Sequence, residues 1–165
     1  TEALAILRRH AIAVPPHVVA WLEGPAAETL KAGDVAFARS EFHLIATPQL
    51  SLQAAASAAR DAGCEVTVLG DDLEGVARDV AQAHAALALR TLREREPSDR
   101  PHLILSGGET TVAVTGRGRG GRNTEFLLGL ALALGGAPGV FALVADTDGI
   151  DGAQDCAGAI LTPDS

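Results

Sequence analysis

The sequence predicts an α/β fold: a layered, mostly parallel sheet with helices on both faces, preceded by a short helical segment. From residue 42 onward, short apolar or β-branched runs alternate with longer stretches of helical periodicity, which is the pattern of repeated β-α-β units. Three loops rich in glycine and charge, at 106–111, 116–125 and 146–152, fall where those runs end, and open α/β sheets carry their ligands at strand carboxyl ends. At 165 residues and 47% hydrophobic content, the chain is long enough to bury a core of its own.

Residues 1–40 contain no strand pattern. Leu4 and Leu7, with Arg8 and Arg9 opposite, mark a short helix; Pro15-Pro16 opens a second around Val18, Trp21 and Leu22, and a loop follows from Gly24 to Asp34. This segment reads as a linker or the trailing edge of a preceding domain, and residues 41–165 as the α/β domain. The apolar run 42–46 is expected to be its first strand. Thr47 then supplies an N-cap with Pro48 behind it, opening an alanine-rich helix that ends at Gly63.

Residues 65–69 are β-branched and extended. Leu73, Val76, Val80, Ala83 and Leu87 recur at helical spacing, so a long amphipathic helix is expected from residue 73. Strands are expected at 101–106 and 110–115, with Gly107-Gly108 as the bend between them. Residues 126–134 are apolar nearly all round and predict a buried helix; 140–145 predict a strand buried on both faces, and 157–161 an edge strand.

Composition narrows the function. A net charge of −8 and 3% aromatic content argue against a nucleic-acid surface, which needs a basic stripe and stacking rings. The run 126–134 is about half the ~20 residues a membrane span requires, and no signal segment opens the chain, so a cytoplasmic protein without a membrane partner is expected. Cys64 and Cys156 have no metal or disulfide spacing and read as free thiols; the five histidines, His84 on its helix included, read as structural. A chain that opens on Thr1, holds no methionine and closes directly after a strand reads as a piece of a longer protein.

The loops carry the chemistry. Gly116-Arg117-Gly118-Arg119-Gly120-Gly121 satisfies the GxGxxG pattern between a strand and a helix, but no acid stands about 20 residues on to hold a ribose. Arg122-Asn123 stand where a magnesium-binding phosphate loop has Lys-Ser/Thr. What remains is a phosphate or carboxylate cradle (Gly118, Gly120, Gly121) at a helix N-terminus, with Arg122 as a two-pronged donor. Asp146, Asp148, Asp151 and Asp155 crowd after a buried strand, where carboxylates share a metal, accept a proton or simply build turns; Ile150 and Asp151 exclude an EF-hand. Glu109, after Gly107-Gly108, is placed to orient Arg122 or a substrate hydroxyl, a surface ion pair being the plain alternative. Ser106 lacks the GxSxG elbow, so nucleophilic hydrolysis is not expected.

On Ser106-Gly107-Gly108-Glu109-Thr110-Thr111, Gly120-Gly121-Arg122-Asn123-Thr124-Glu125, Thr147-Asp148-Gly149-Ile150-Asp151-Gly152 through Ala157-Gly158, and more weakly the stretch 69–75, the chain resembles the C-terminal part of the type-2 glycerate kinases. Their small domain is the MOFRL domain, and members have often been labelled hydroxypyruvate reductases. The likeness departs at Thr124, where glutamine is commoner, at Val76, where glutamate is common, and at Asp146, where many members have glycine, so Asp146 receives no indispensable role.

The resemblance implies transfer of the ATP γ-phosphate to the 2-hydroxyl of D-glycerate with Mg2+, in a cleft between this domain and a larger N-terminal domain that bears the family's lysine. That domain and a C-terminal tail would then be missing here, and the piece alone inactive; a homodimer is left open. In this reading Arg122, Asp148 and Asp151 are catalytic, with Asp148 and Asp151 also the metal ligands. Gly107, Gly108, Glu109, Thr110, Gly118, Gly120, Gly121, Asn123 and Glu125 bind substrate or phosphate. The alternatives are an NAD(P)H-dependent hydroxypyruvate reductase and a non-catalytic domain that binds a phosphorylated metabolite.

Overall fold

A computed structural model describes residues 2–96, 99–153 and 155–165. The chain divides into two compact units, Thr1–Leu44 and Ile45–Ser165. The first holds α1 (Glu2–Arg9), α2 (Pro16–Glu23) and two short 3-10 turns, Pro25–Ala27 and Val35–Phe37. Pro15 and Pro16 open α2 because a proline at the first helical position gives up an amide that has no partner there. Residues 42–46 form no strand. Phe42 and Ile45 are almost wholly exposed, 88% and 90%, so this apolar run finds no ladder among the described residues.

The second unit is α/β. It runs α3 (Pro48–Asp61), β1 (Glu65–Val68), β2 (Leu73–Val76), α4 (Ala77–Arg93), β3 (His102–Leu105), β4 (Gly108–Thr111), α5 (Arg122–Leu134), β5 (Ala142–Ala145) and β6 (Gly158–Leu161). Thr47 caps α3 as its sequence predicts, its Oγ1 accepting from Leu50 N at 3.1 Å. The expected single sheet is present as three two-stranded ribbons: β1 with β3 and β2 with β4, both parallel, and β5 with β6, antiparallel.

The first two ribbons are one pair of chain segments running side by side twice. Glu65 pairs with His102 and Val68 with Leu105; Leu73 then pairs with Gly108. Leu69 N donates to Leu105 O, Gly107 N to Gly70 O and Leu73 N to Gly107 O, so the ladder passes through Gly107 while Asp71 and Asp72 loop out as extra residues. Gly107-Gly108 is therefore a ladder joint rather than a bend, and a Cβ on Gly108 would overlap the backbone of Leu73. It also corrects the helix expected from residue 73: Leu73 and Val76 lie on a strand, and α4 starts only at Ala77.

The buried stripe of α4 is correspondingly Ala77, Ala81 and Ala85 rather than the larger apolar residues beside them. Small side chains win that face because α5 lies close against it, with Gly129 at the contact. A Cβ there would come within 3.2 Å of Ala81 Cβ and 3.3 Å of Arg78 Cα. Gly129→Val is expected to destabilise the chain by about 1–3 kcal/mol through overpacking, read as a lower denaturant midpoint; an unchanged midpoint would mean the two helices separate freely.

α5 buries Leu127, Leu130 and Leu134 against Ala81, Ala85 and Leu161, and each such leucine contributes about 1.5–3 kcal/mol. The helix is not buried all round, since Leu128 and Leu132 stand exposed, and β5 is covered on one face only, with Leu143 71% exposed. No described helix is long and apolar enough to cross a membrane. Cys64 and Cys156 are free.

Candidate functional site

α5 begins with no cap of its own, because Gly121 at the N-cap position has no side chain to offer. The carboxylate of Asp151, from the loop after β5, takes that place. Its Oδ1 accepts from Asn123 N at 2.9 Å and its Oδ2 from Thr124 N at 2.8 Å. A Cβ on Gly121 would overlap that carboxylate, and one on Gly152, where φ is 63°, would press on Gly120 and Gly121. The glycines let two loops pack backbone to backbone. Thr124 closes the turn from inside, its Oγ1 accepting from Gly121 N at 2.9 Å.

Asp151 is fully buried. Burial pushes its pKa up, but the amides of Asn123 and Thr124, the Thr124 hydroxyl and the positive charge of Arg122 outweigh that, holding the carboxyl below its usual range. Serine is ordinarily a better N-cap than glycine, yet Gly121→Ser is expected to cost about 1–3 kcal/mol here, since the new side chain must displace the carboxylate already in place. A rise in melting temperature in that variant would contradict the remote cap.

Beside the cap lies an arginine clamp. Arg122, the first residue of α5, donates from Nε at 3.0 Å and Nη2 at 2.7 Å to Oδ2 of Asp146, the residue directly after β5, and from Nη1 at 2.7 Å to Oε1 of Glu109 on β4. Asn123 Nδ2 reaches the same Asp146 oxygen at 3.4 Å and the carbonyl of Ala157 at 3.4 Å. Hydrogen bonds first to Asp146 and then to Glu109 raise the Arg122 pKa further, so its charge is permanent. A guanidinium has five N–H groups. Three are taken in these bonds, which leaves one on each terminal nitrogen for a carboxylate or phosphate, on a side chain 35% exposed.

These contacts revise several expectations. Asp151 is consumed as a cap, and with it the amides of Asn123 and Thr124 that were expected to face an anion, so the helix N-terminus is filled from within the chain. Gly107 is tied into the ladder and Gly108 into β4, Thr110 pairs with Gly75, and Glu125 turns toward α4, 3.5 Å from Arg78 Nε. Gly118 lies in an exposed stretch between Arg117 and Arg119. Asp148 is exposed and its Oδ1 accepts from Ile150 N at 2.9 Å, closing a turn.

Magnesium, which the resemblance implies, does not fit Asp148 and Asp151 as a pair, because both Asp151 oxygens already face amides. Among the described residues no cluster of three His, Cys, Asp or Glu side chains is arranged for a metal. Asp146, given no indispensable role by the sequence reading, is the main partner of Arg122. Thr124 was noted only as a departure, and nothing in the spacing marked its bond to Gly121.

Residues 102–165, which carry this clamp and the α/β elements around it, match the MOFRL family. Over 99% of its length the chain is 50% identical to an Agrobacterium vitis protein and 43% identical to a second one, both bearing the label hydroxypyruvate reductase. It is 37% identical, over 73% of its length, to the D-glycerate 2-kinase of Thermotoga maritima. The crystal structure of a glycerate kinase from that organism superposes on 98% of the chain with a TM-score of 0.75 and 32% identity. The chain belongs to the type-2 glycerate kinase family and represents its MOFRL-bearing region. It spans 37% of the length of the first Agrobacterium vitis relative, 42% of the second and 37% of the solved kinase.

Proposed function

We propose that this chain is the C-terminal part of a cytoplasmic glycerate 2-kinase, and that it supplies one wall of a site in which the ATP γ-phosphate passes to the 2-hydroxyl of D-glycerate, giving 2-phosphoglycerate. The observation that carries this reading is the Arg122 clamp. Phosphoryl transfer needs a positioned cation more than it needs covalent chemistry, and a guanidinium fixed by two carboxylates with two N–H groups in reserve is such a cation. Arg122 binds the glycerate carboxylate or the transferring phosphoryl group; Asp146 and Glu109 hold it in place. Asp148, the exposed carboxylate of the adjacent loop, is the candidate proton acceptor for the 2-hydroxyl, whereas Asp151 positions α5. The remaining nucleotide and substrate contacts then come from the larger N-terminal domain. Asp148 and Asp151 do not pair as magnesium ligands, since both Asp151 oxygens already accept from amides.

The reductase label of two relatives motivates the alternative. A dinucleotide fold needs a short glycine turn from strand to helix and a free helix N-terminus for the pyrophosphate. Here residues 112–121 separate β4 from α5, and Asp151 occupies the helix end, which favours the kinase. The deciding assay pairs ADP release from D-glycerate and ATP with NAD(P)H loss on hydroxypyruvate, using the complete enzyme. Glycerate-dependent ADP release supports the proposal; NAD(P)H oxidation in its place refutes it.

A further inference from the structure

Outside the clamp, one polar pair sits at the carboxyl end of a strand without a role in the reading above. His84 on α4 faces Ser106, the residue directly after β3, with Nε2 and Oγ 3.1 Å apart. The other ring nitrogen, Nδ1, lies 2.9 Å from the carbonyl oxygen of Val80. A carbonyl only accepts, so in the neutral ring Nδ1 carries the proton and Nε2 is a bare lone pair. Ser106 must then donate its single proton to Nε2. The ring is steadied by an edge contact with Phe126 on α5, centroids 5.1 Å apart at 75°.

The consequence is a hydroxyl of fixed polarity. A serine hydroxyl has one proton and two acceptor lone pairs; with the proton committed to His84, exposed Ser106 offers only acceptor capacity outward. It repels phosphate and carboxylate oxygens, which are themselves acceptors, and receives a donor such as an alcohol hydroxyl. Arg122 is the complement, a group that only donates. Phe126, which holds His84, lies one turn after Arg122 on the same face of α5, so the two groups share a support.

We propose that Ser106 is a substrate-binding residue whose Oγ accepts a hydrogen bond from a hydroxyl of the hydroxy acid, and that His84 is the positioning residue that sets its polarity. This rests on the kinase reading, which supplies the hydroxy acid. A small acid with a carboxylate at one end and hydroxyls beside it needs one donor-only and one acceptor-only anchor, and Arg122 and Ser106 are that pair.

Two measurements test it. In the 165-residue chain labelled with 15N-histidine, with His84→Gln used to assign the signal, the His84 ring is expected to carry its proton on Nδ1; a proton on Nε2 in the neutral ring would overturn the inference. In the complete kinase, Ser106→Ala is expected to raise KM for D-glycerate about five- to tenfold while kcat and KM for ATP stay within about twofold, as for one lost hydrogen bond to substrate, with Ser106→Thr restoring the wild-type value. An unchanged glycerate KM in Ser106→Ala, with wild-type turnover normal, overturns the role of Ser106 alone. A wild-type enzyme that does not phosphorylate glycerate overturns the kinase reading and this inference together.

Discussion

Replacing Asp151 by alanine is expected to make the chain about 3 kcal/mol less stable and to lower its melting temperature by roughly 10 °C. Two losses combine. α5 gives up its cap, which leaves the part-buried amides of Asn123 and Thr124 without acceptors in a place where Gly121 has no side chain to substitute, at about 1–3 kcal/mol in all. The loop carrying Gly152 also loses its tether to Gly120 and Gly121.

Asp151→Asn separates charge from shape, because one arm of its amide would point N–H groups at a backbone N–H. The pH dependence follows from the depressed folded-state pKa. The stability that ionised Asp151 contributes is fully present above its unfolded value, near 3.8, and is lost as pH falls through the lower folded value. Wild type and Asp151→Asn should therefore differ most above pH 4 and converge in more acidic solution. A constant difference across that range, followed by urea unfolding, would show that Asp151 acts by packing alone.

Much of this arrangement was legible in the sequence, and where it was not the reason is specific. Thr47-Pro48 announces α3, and the alternation of strand and helix after residue 64 gives the α/β class, because these are local signals. The start of α4 was misread since Leu73 and Val76 fit a helical stripe and a short strand equally well; the parallel partner that decides between them, β4, lies in the next part of the chain. The run 42–46 has the composition of a strand, but a strand requires a neighbour as well as a composition. At the site, the sequence marked Arg122, Glu109 and Asp151 as important without revealing their division of labour. Glycines before a helix look the same whether they admit a phosphate or the chain's own carboxylate. The hydrogen bonds from Asn123 N and Thr124 N to Asp151, with the overlap a Cβ on Gly121 would make, separate the two.

That division of labour makes Arg122 the informative substitution for turnover. On the proposed kinase reading, Arg122→Ala in the complete protein is expected to lower kcat/KM for D-glycerate about 10²–10³-fold, the scale set by losing one preorganised charged donor in a transition state. The fold should survive it, because the cap on α5 comes from Asp151 and the helix packs through Leu127, Leu130 and Leu134 in the core. Arg122→Lys is the sharper test. A lysine ammonium keeps the charge but presents no planar fork, so satisfying Asp146 and Glu109 leaves it without a matched pair of donors for an incoming oxyanion. If positioning is what the clamp contributes, lysine recovers less than about tenfold of the alanine loss. If lysine restores near-normal turnover, only the charge matters, and the hydrogen bonds to Asp146 and Glu109 serve stability rather than the alignment of substrate.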